Sequence, residues 1–344
     1  MNFEIIKKLI PMEEVIQSIP LSQTNHEFIR KSRENVKNIL IGNDRRLLMI
    51  IGPCSAWPKE AVIEYAKKLS VLNKKVENAL MLVMRVYTQK PRTKLGWTGP
   101  ILQPDPLRKP DIEMGIKYTR EMMVKVTELG LPIADELLFT HYARGLQGIL
   151  SWAAIGARSS EDQEHRVFAS ALDCAVGLKN PTHGSLSVAV NSVFVAQQAH
   201  VAAIDGYEVQ TAGNPYAHLV LRGSNQGPNY SVKHLEEANS QMNLHQLYNP
   251  SIIIDVSHGN CLIADKKDHT NQAKIIFEIQ DFLKTRPNLK KLVKGFMVES
   301  FLKGGSQSLE NGSTLDHGGL SITDPCLSWE QTEELILKLA AAQI

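Results

Sequence analysis

Residues 84 to 99, MRVYTQKPRTKLGWTG, carry Arg85, Lys90, Arg92 and Lys94 with no acidic residue among them. Further cations stand at the ends of other short apolar runs: Arg158 closes GAR, Lys179 lies in VGLKN and Arg222 in VLRG. Brought together, Arg85, Lys90, Arg92, Arg158, Lys179 and Arg222 would repel one another unless anions lay between them, and guanidinium forks suit phosphate and carboxylate oxygens. Six cations exceed what a single phosphate needs. A second chemical set comprises Cys54 in IIGPCS, His258 in DVSHGN, Glu299 in MVES and Asp324 in SITDPC. A thiolate, an imidazole and two carboxylates are the mixture that holds a divalent first-row metal, and ligand softness does not choose among Mn2+, Fe2+, Co2+ and Zn2+. Glu136, near the end of PIADEL, adds one more carboxylate.

Each of these residues has a bland reading when taken singly. A lone cysteine after Gly-Pro is more often a small buried residue, a lone histidine a hydrogen-bonded structural one, and an arginine at a strand end the partner of a carboxylate. Their joint placement favours function, because structurally neutral strand ends would not all carry such side chains. Cys174 and Cys261 are assigned to packing, and His165, His200 and His245 to structure or surface.

The elements that must position these residues follow from hydrophobic period. Short β-rich runs at 47–52, 80–86, 132–137, 153–158, 175–179, 217–222, 252–258 and 293–300 alternate with amphipathic stretches, among them 59–72, 112–129 and 329–342. Ser328 with Gln331 three residues on predicts a capping box for the last helix. Eight strands with intervening helices favour an α/β fold, a (β/α)8 TIM barrel whose C-terminal strand ends converge on one mouth, although an open doubly wound sheet fits the same pattern. Residues 1–45 read as an N-terminal helical arm with Ile29, Val36, Ile39 and Leu40 on its apolar face, and 46–344 as the catalytic barrel. HVAAIDGYEVQTAG (200–213) reads as a β-hairpin inserted before the sixth strand, in a segment of about 200–216. Neither closes the barrel, so both are candidates for oligomer contacts or regulation.

Composition sets the outer bounds. Thirty-eight Lys and Arg against thirty-six Asp and Glu leave a formal charge of +2 over 344 residues, which speaks against a nucleic-acid or membrane surface. Four cysteines without CxxC pairing predict reduced thiols. The N-terminal residues lack a signal-peptide core and no apolar run reaches the length of a membrane span, so a soluble cytoplasmic protein is expected.

GPCS, MRVY..KPRT.LGW.G, GAR, VG.KN, LRG, D.SH.N, MVES and SITD, in this order and spacing, closely resemble the class I, feedback-regulated type of 3-deoxy-D-arabino-heptulosonate 7-phosphate (DAHP) synthase, a transferase. The resemblance runs from about residue 40 to 342, and KPRT separates it from the octulosonate 8-phosphate synthases. It implies a metal-dependent condensation of phosphoenolpyruvate with erythrose 4-phosphate and water, giving DAHP and phosphate. By matching motif positions, Ala157, Arg158 and Arg222 would hold the phosphoenolpyruvate phosphate, and Arg85 and Lys179 its carboxylate, with Glu136 acting through water. Pro91, Arg92 and Thr93 would hold the erythrose 4-phosphate, and Cys54, His258, Glu299 and Asp324 the metal. Lys90 would stand between the substrates and protonate the new alkoxide, a role for which neighbouring cations are expected to depress its pKa. Lys94 has no assigned task. The resemblance also implies a homo-oligomer, dimer or tetramer. LLFTHYARGLQG (137–148) lacks the aspartate and proline that amino-acid-inhibited relatives use in their inhibitor pocket, so phenylalanine-type inhibition is not expected. The rival readings are an octulosonate 8-phosphate synthase-like enzyme, disfavoured by KPRT, and a catalytically silent regulatory barrel, which should show a broken ligand or lysine set.

Overall fold

The computed structural model describes residues 2–92, 95–139, 146, 148–204, 206–263, 266–310 and 315–343. Two helices, α1 (Met12–Ser18) and α2 (Gln23–Ile41), precede β1 (Leu47–Gly52). Then come α3 (Lys59–Val76), β2 (Leu80–Arg85), α4 (Ile112–Glu128), β3 (Ile133–Glu136), β4 (Leu150–Ile155), α5 (Gln163–Ser170), β5 (Ala175–Lys179) and α6 (Leu186–Ala196). A hairpin of β6 (Val201–Ile204) and β7 (Tyr207–Gln210) leads to β8 (Ala217–Leu221), α7 (Val232–Leu244) and β9 (Ile252–Asp255). The chain ends with a small hairpin, β10 (Leu262–Ile263) and β11 (Lys266–Lys267), then α8 (Asn271–Leu283), α9 (Pro287–Leu292), β12 (Val293–Glu299) and α10 (Trp329–Ala341).

Eight of these strands close into a parallel barrel in the order β1-β12-β9-β8-β5-β4-β3-β2. This is the (β/α)8 barrel that the alternation of runs predicts, and it excludes the open sheet. Its strands are buried along nearly their whole length, which is why they read as continuous apolar runs rather than as alternating ones. Packing between strands is close enough to require glycine at Gly295, where a Cβ would lie 1.9 Å from the carbonyl oxygen of Leu48.

The ends of the elements follow local chemistry. Asp111 caps α4 by accepting from the Met114 amide, and Ser328 and Gln331 form the expected reciprocal capping box on α10. Helix α3 runs on to Val76, a turn beyond the predicted 72. Strand β4 begins and ends three residues earlier than the predicted 153–158, because Gly156, Ala157 and Arg158 leave the sheet in a turn closed by the Ser159 amide on the Gly156 carbonyl. Strand β9 stops at Asp255 rather than 258, since His258 adopts φ 54° and opens a 3-10 turn over His258–Cys261.

The arm does more than decorate the barrel. Val36, Ile39 and Leu40 of α2 pack in one cluster with the interior residues Leu48, Ile50, Met81, Val83 and Trp152, and Arg33 Nε donates to the Leu150 carbonyl at 2.8 Å. Because Leu48 and Leu150 lie at the starts of their strands, second in β1 and first in β4, α2 stoppers the end of the barrel opposite the strand C-termini. The β6–β7 hairpin is antiparallel, as predicted, and Asp205 of its turn lies outside the described residues. Among the described residues, no helix is long and apolar enough to cross a membrane.

Candidate active site

Strand register brings the chemistry together at the C-terminal mouth. Gly52 pairs with Glu299 across β1 and β12, and Ile51 pairs with Met84 across β1 and β2, so Arg85 and Glu299 flank the exit of β1. A Cβ on Gly52 would lie 2.7 Å from the Arg85 carbonyl oxygen, so only glycine admits this approach. Two residues on, Cys54 offers its sulfur into a set with Glu299 and Asp324 whose donor atoms lie within 4.8 Å of one another. His258 stands beside this set, its Nε2 3.6 Å from Glu299 Oε1 and 3.9 Å from Asp324 Oδ2.

The donor set fits a divalent cation on its own chemistry. The Nδ1 of His258 lies 3.0 Å from Asp255 Oδ2, and Ser257 Oγ donates to Asp255 Oδ1 at 2.6 Å. A carboxylate behind the imidazole leaves Nε2 free to face a metal, the usual outer support of a histidine ligand. Burial pushes the Cys54 thiol up to about 11, with the Glu299 charge adding to it. The thiol therefore keeps its proton at neutral pH unless a metal cation takes the proton's place. Burial works against ionisation of Asp324, but the Lys267 and His258 charges outweigh it and hold this carboxyl well below its usual range.

The cations form the second wall. Arg85 is enclosed, with Nη2 3.0 Å from Glu299 Oε1 and Nε 3.4 Å from the Pro53 carbonyl, while its buried Nη1 has no hydrogen-bond partner among the described residues. A buried guanidinium with an unused donor suits an anion. Lys179 bridges Glu136 at 3.1 Å and Asp255 at 3.4 Å. Burial opposes the charge on Glu136, but Lys179 and then Lys90 outweigh it and lower its pKa to about 2. Arg158, exposed at the rim, is lowered by partial burial and then by the Arg222 charge, with Arg92 adding to it. Arginines set close enough to disfavour one another's charge are relieved by a phosphate between them. Arg85, Lys90, Arg92, Arg158, Lys179 and Arg222 line one cleft with Pro91, Glu136 and Ala157.

Lys90 Nζ donates to the Cys54 carbonyl at 2.7 Å and to its sulfur at 3.3 Å. Its loop is fixed from both sides. Asp135 accepts from the amide and hydroxyl of Thr88 at 2.9 and 2.6 Å, and the Lys90 amide donates to the Thr98 carbonyl at 2.9 Å. The expected depression of the Lys90 pKa is not found. Burial does oppose its charge, but Cys54, Glu136 and Glu299 outweigh burial and the Arg85 repulsion, and hold it above the ordinary lysine value. Its acidic neighbours, Cys54 first and then the two carboxylates, outweigh the neighbouring cation.

Three residues at the mouth escape the sequence reading. Tyr87, buried, places its ring centroid 4.0 Å from the Arg85 guanidinium and 5.6 Å from both Lys90 and Lys179, and a π face tolerates cations that would otherwise repel. Asp255 supports His258, and Lys267 pairs with Asp324. Tyr87 and Asp255 do stand inside MRVY and DVSH, whereas nothing in the spacing marks Lys267. Cys174 and Cys261 are buried, as assigned. Thr93 and Lys94 lie outside the described residues, as does most of the departing segment 137–148.

Residues 19–337 match the model of the DAHP synthetase I family. The chain is 39% identical over 347 residues to the Trp-sensitive phospho-2-dehydro-3-deoxyheptonate aldolase of Enterobacter agglomerans, covering 98% of this chain and 95% of that protein. It is 38% identical over 336 residues to the Tyr-sensitive enzyme of Salmonella typhimurium, covering 96% and 92%. The solved structure of the phospho-2-dehydro-3-deoxyheptonate aldolase from Francisella tularensis superposes with a TM-score of 0.92 at 37% identity, over 99% of this chain and 98% of that one.

Proposed function

The chain belongs to the DAHP synthetase I family, and from that premise we propose how the residues at its barrel mouth divide the work of one condensation. Phosphoenolpyruvate, erythrose 4-phosphate and water give DAHP and inorganic phosphate, the first step of the shikimate pathway. The observation that carries the reading is the set of six cations gathered around one cleft, enough for two phosphates and a carboxylate.

Arg158 and Arg222, with Ala157 beside them, bind the phosphoenolpyruvate phosphate, and Arg85 and Lys179 its carboxylate; the unused Nη1 of Arg85 supports this share. Glu136 keeps Lys179 in place and reaches substrate through water. Pro91, Arg92 and Thr93 hold the phosphate end of erythrose 4-phosphate. Offsetting the repulsion between the two anions lets carbon 3 of the enol reach the aldehyde carbon, and this positioning is a large part of the rate. Cys54, His258, Glu299 and Asp324 would hold a divalent cation, which would supply Lewis-acid polarisation of the aldehyde. Lys90, protonated at neutral pH, gives its Nζ proton to the alkoxide oxygen formed as the carbon–carbon bond closes. Carbon 2 then takes a hydroxyl from water, whose proton returns to the Lys90 amine, and the hemiketal phosphate loses phosphate by C–O cleavage as its hydroxyl gives up its proton to the departing phosphate and becomes the ketone.

Self-association is part of the proposal. Phe3, Ile5 and Ile6 of the arm and Val201 and Tyr207 of the hairpin are exposed apolar residues outside the barrel, and they suit contacts between copies. The absence of a long apolar helix among the described residues and the unpaired cysteines support a cytoplasmic location. Phenylalanine is expected not to inhibit.

The test is phosphate release in the presence of divalent metal. Release that needs both phosphoenolpyruvate and erythrose 4-phosphate supports the assignment. Release with arabinose 5-phosphate in place of erythrose 4-phosphate would instead favour the octulosonate reaction, and no release with either sugar would favour a silent barrel.

A further inference from the structure

Each of the three most closely set donors faces a cation of its own. Lys90 Nζ lies 3.3 Å from the Cys54 sulfur, Arg85 Nη2 lies 3.0 Å from Glu299 Oε1, and Lys267 Nζ contacts Asp324 Oδ2. Arg85 and Lys90 are enclosed and also donate to the carbonyls of Pro53 and Cys54, so neither has another place to go.

Lys267 is held less closely, since among the described residues Asp324 is the one hydrogen-bond partner of its ammonium. Its side chain is 35% exposed, and it belongs to a hairpin with only two residues in each strand. That hairpin grows directly from the turn that carries His258 and is tied back by the Asp268 amide on the Cys261 carbonyl at 3.0 Å. A lysine stem of this exposure can carry its ammonium into water. The oxygen it contacts, Asp324 Oδ2, is also the one that faces His258 Nε2 at 3.9 Å. That oxygen is therefore on the inner side of the donor set, where a divalent cation would call on it.

We propose that Lys267 is a displaceable counter-ion, which holds Asp324 until a divalent cation replaces it and which thereby sets the affinity of the site. The inference rests on the reading of Asp324 as a metal ligand. It gives the small hairpin a function that the condensation itself does not require: a fixed Arg85 and Lys90 hold two donors in place, while an exchangeable lysine holds the third.

Co2+ titration of the metal-stripped full-length protein tests this, because a thiolate-to-cobalt charge-transfer band reports ligation by Cys54. Lys267→Met and Lys267→Gln are expected to bind Co2+ about 3- to 10-fold more tightly than wild type, the scale of a partly exposed charge interaction. Lys267→Arg, which keeps the charge, is expected to stay near the wild-type affinity. Unchanged or weaker binding in the two neutral variants, with the band intact, overturns the proposal and leaves the metal site standing. A band that is absent from wild type, or that survives in Cys54→Ser, overturns the metal-site reading and this proposal with it.

Discussion

The ammonium of Lys90 donates to both the carbonyl oxygen and the sulfur of Cys54, at 2.7 and 3.3 Å. The proton donor and one metal ligand of the proposed reaction thus form a single hydrogen-bonded unit at the end of β1. The carbonyl accepts whatever the state of the sulfur, so the ammonium stays anchored when the thiol loses its proton to a metal.

Lys90→Ala should therefore separate chemistry from architecture. Phosphate release is expected to fall by about 10²- to 10⁴-fold, the usual worth of a positioned acid. The circular dichroism spectrum and the Cys54 cobalt band are expected to persist. Turnover close to wild type would remove Lys90 from the proton transfer.

Metal dependence is the second expectation. Prolonged dialysis against a chelator should abolish phosphate release, and adding back Mn2+, Co2+ or another first-row divalent cation should restore it. The raised Cys54 pKa predicts that reloading releases a proton from the thiol, which is measurable in weak buffer. Activity that survives complete metal removal would contradict the proposed role of the donor set.

Asp255 gives a third prediction, because it supports His258 without belonging to the donor set. Asp255→Asn keeps the shape but loses the negative charge that steadies the imidazole. Its Co2+ affinity is expected to fall by about 10- to 100-fold, with the cobalt band still present once the site is saturated. Wild-type affinity in this variant would show that the Ser257 hydroxyl and the turn suffice to orient His258.

How far this site is legible in the sequence depends on what kind of signal each residue leaves. Arg85, Cys54 and Glu299 stand at or just past the ends of short apolar runs, and in a barrel that position alone places them at the mouth. Arg158 and His258 read as strand residues because GAR and DVSH continue such runs. In the structure Gly156 turns the chain out of β4, and His258 takes a left-handed φ of 54°. Lys267 cannot be read at all, since it reaches Asp324 from a two-residue strand with no periodicity to mark it. The Lys90 pKa fails for a different reason: its direction depends on the balance of Cys54, Glu136 and Glu299 against Arg85 and burial, and sequence spacing does not carry that balance. For the arm, the apolar face of α2 is evident from its period, but its seat against Leu48 and Trp152 is a tertiary fact.

The last prediction concerns stability, far from the mouth. His218 is buried in the barrel, where its Nε2 accepts from the Trp152 indole at 3.1 Å and its Nδ1 faces the Tyr216 carbonyl at 2.9 Å. Both nitrogens are satisfied only in the neutral ring, and burial pulls its pKa down from 6.5 to about 4. Between these values the unfolded chain binds a proton that the folded one refuses. The stability due to the neutral ring is therefore present above pH 6.5 and is lost as pH falls toward 4, by up to about 3 kcal/mol. Gln at this position can accept from Trp152 and donate to Tyr216 without titrating. Urea unfolding of wild type and His218→Gln across this range should show a wild-type stability that falls more steeply with acid, with a difference that grows toward pH 4. Parallel profiles would mean that His218 does not govern the acid sensitivity of the barrel.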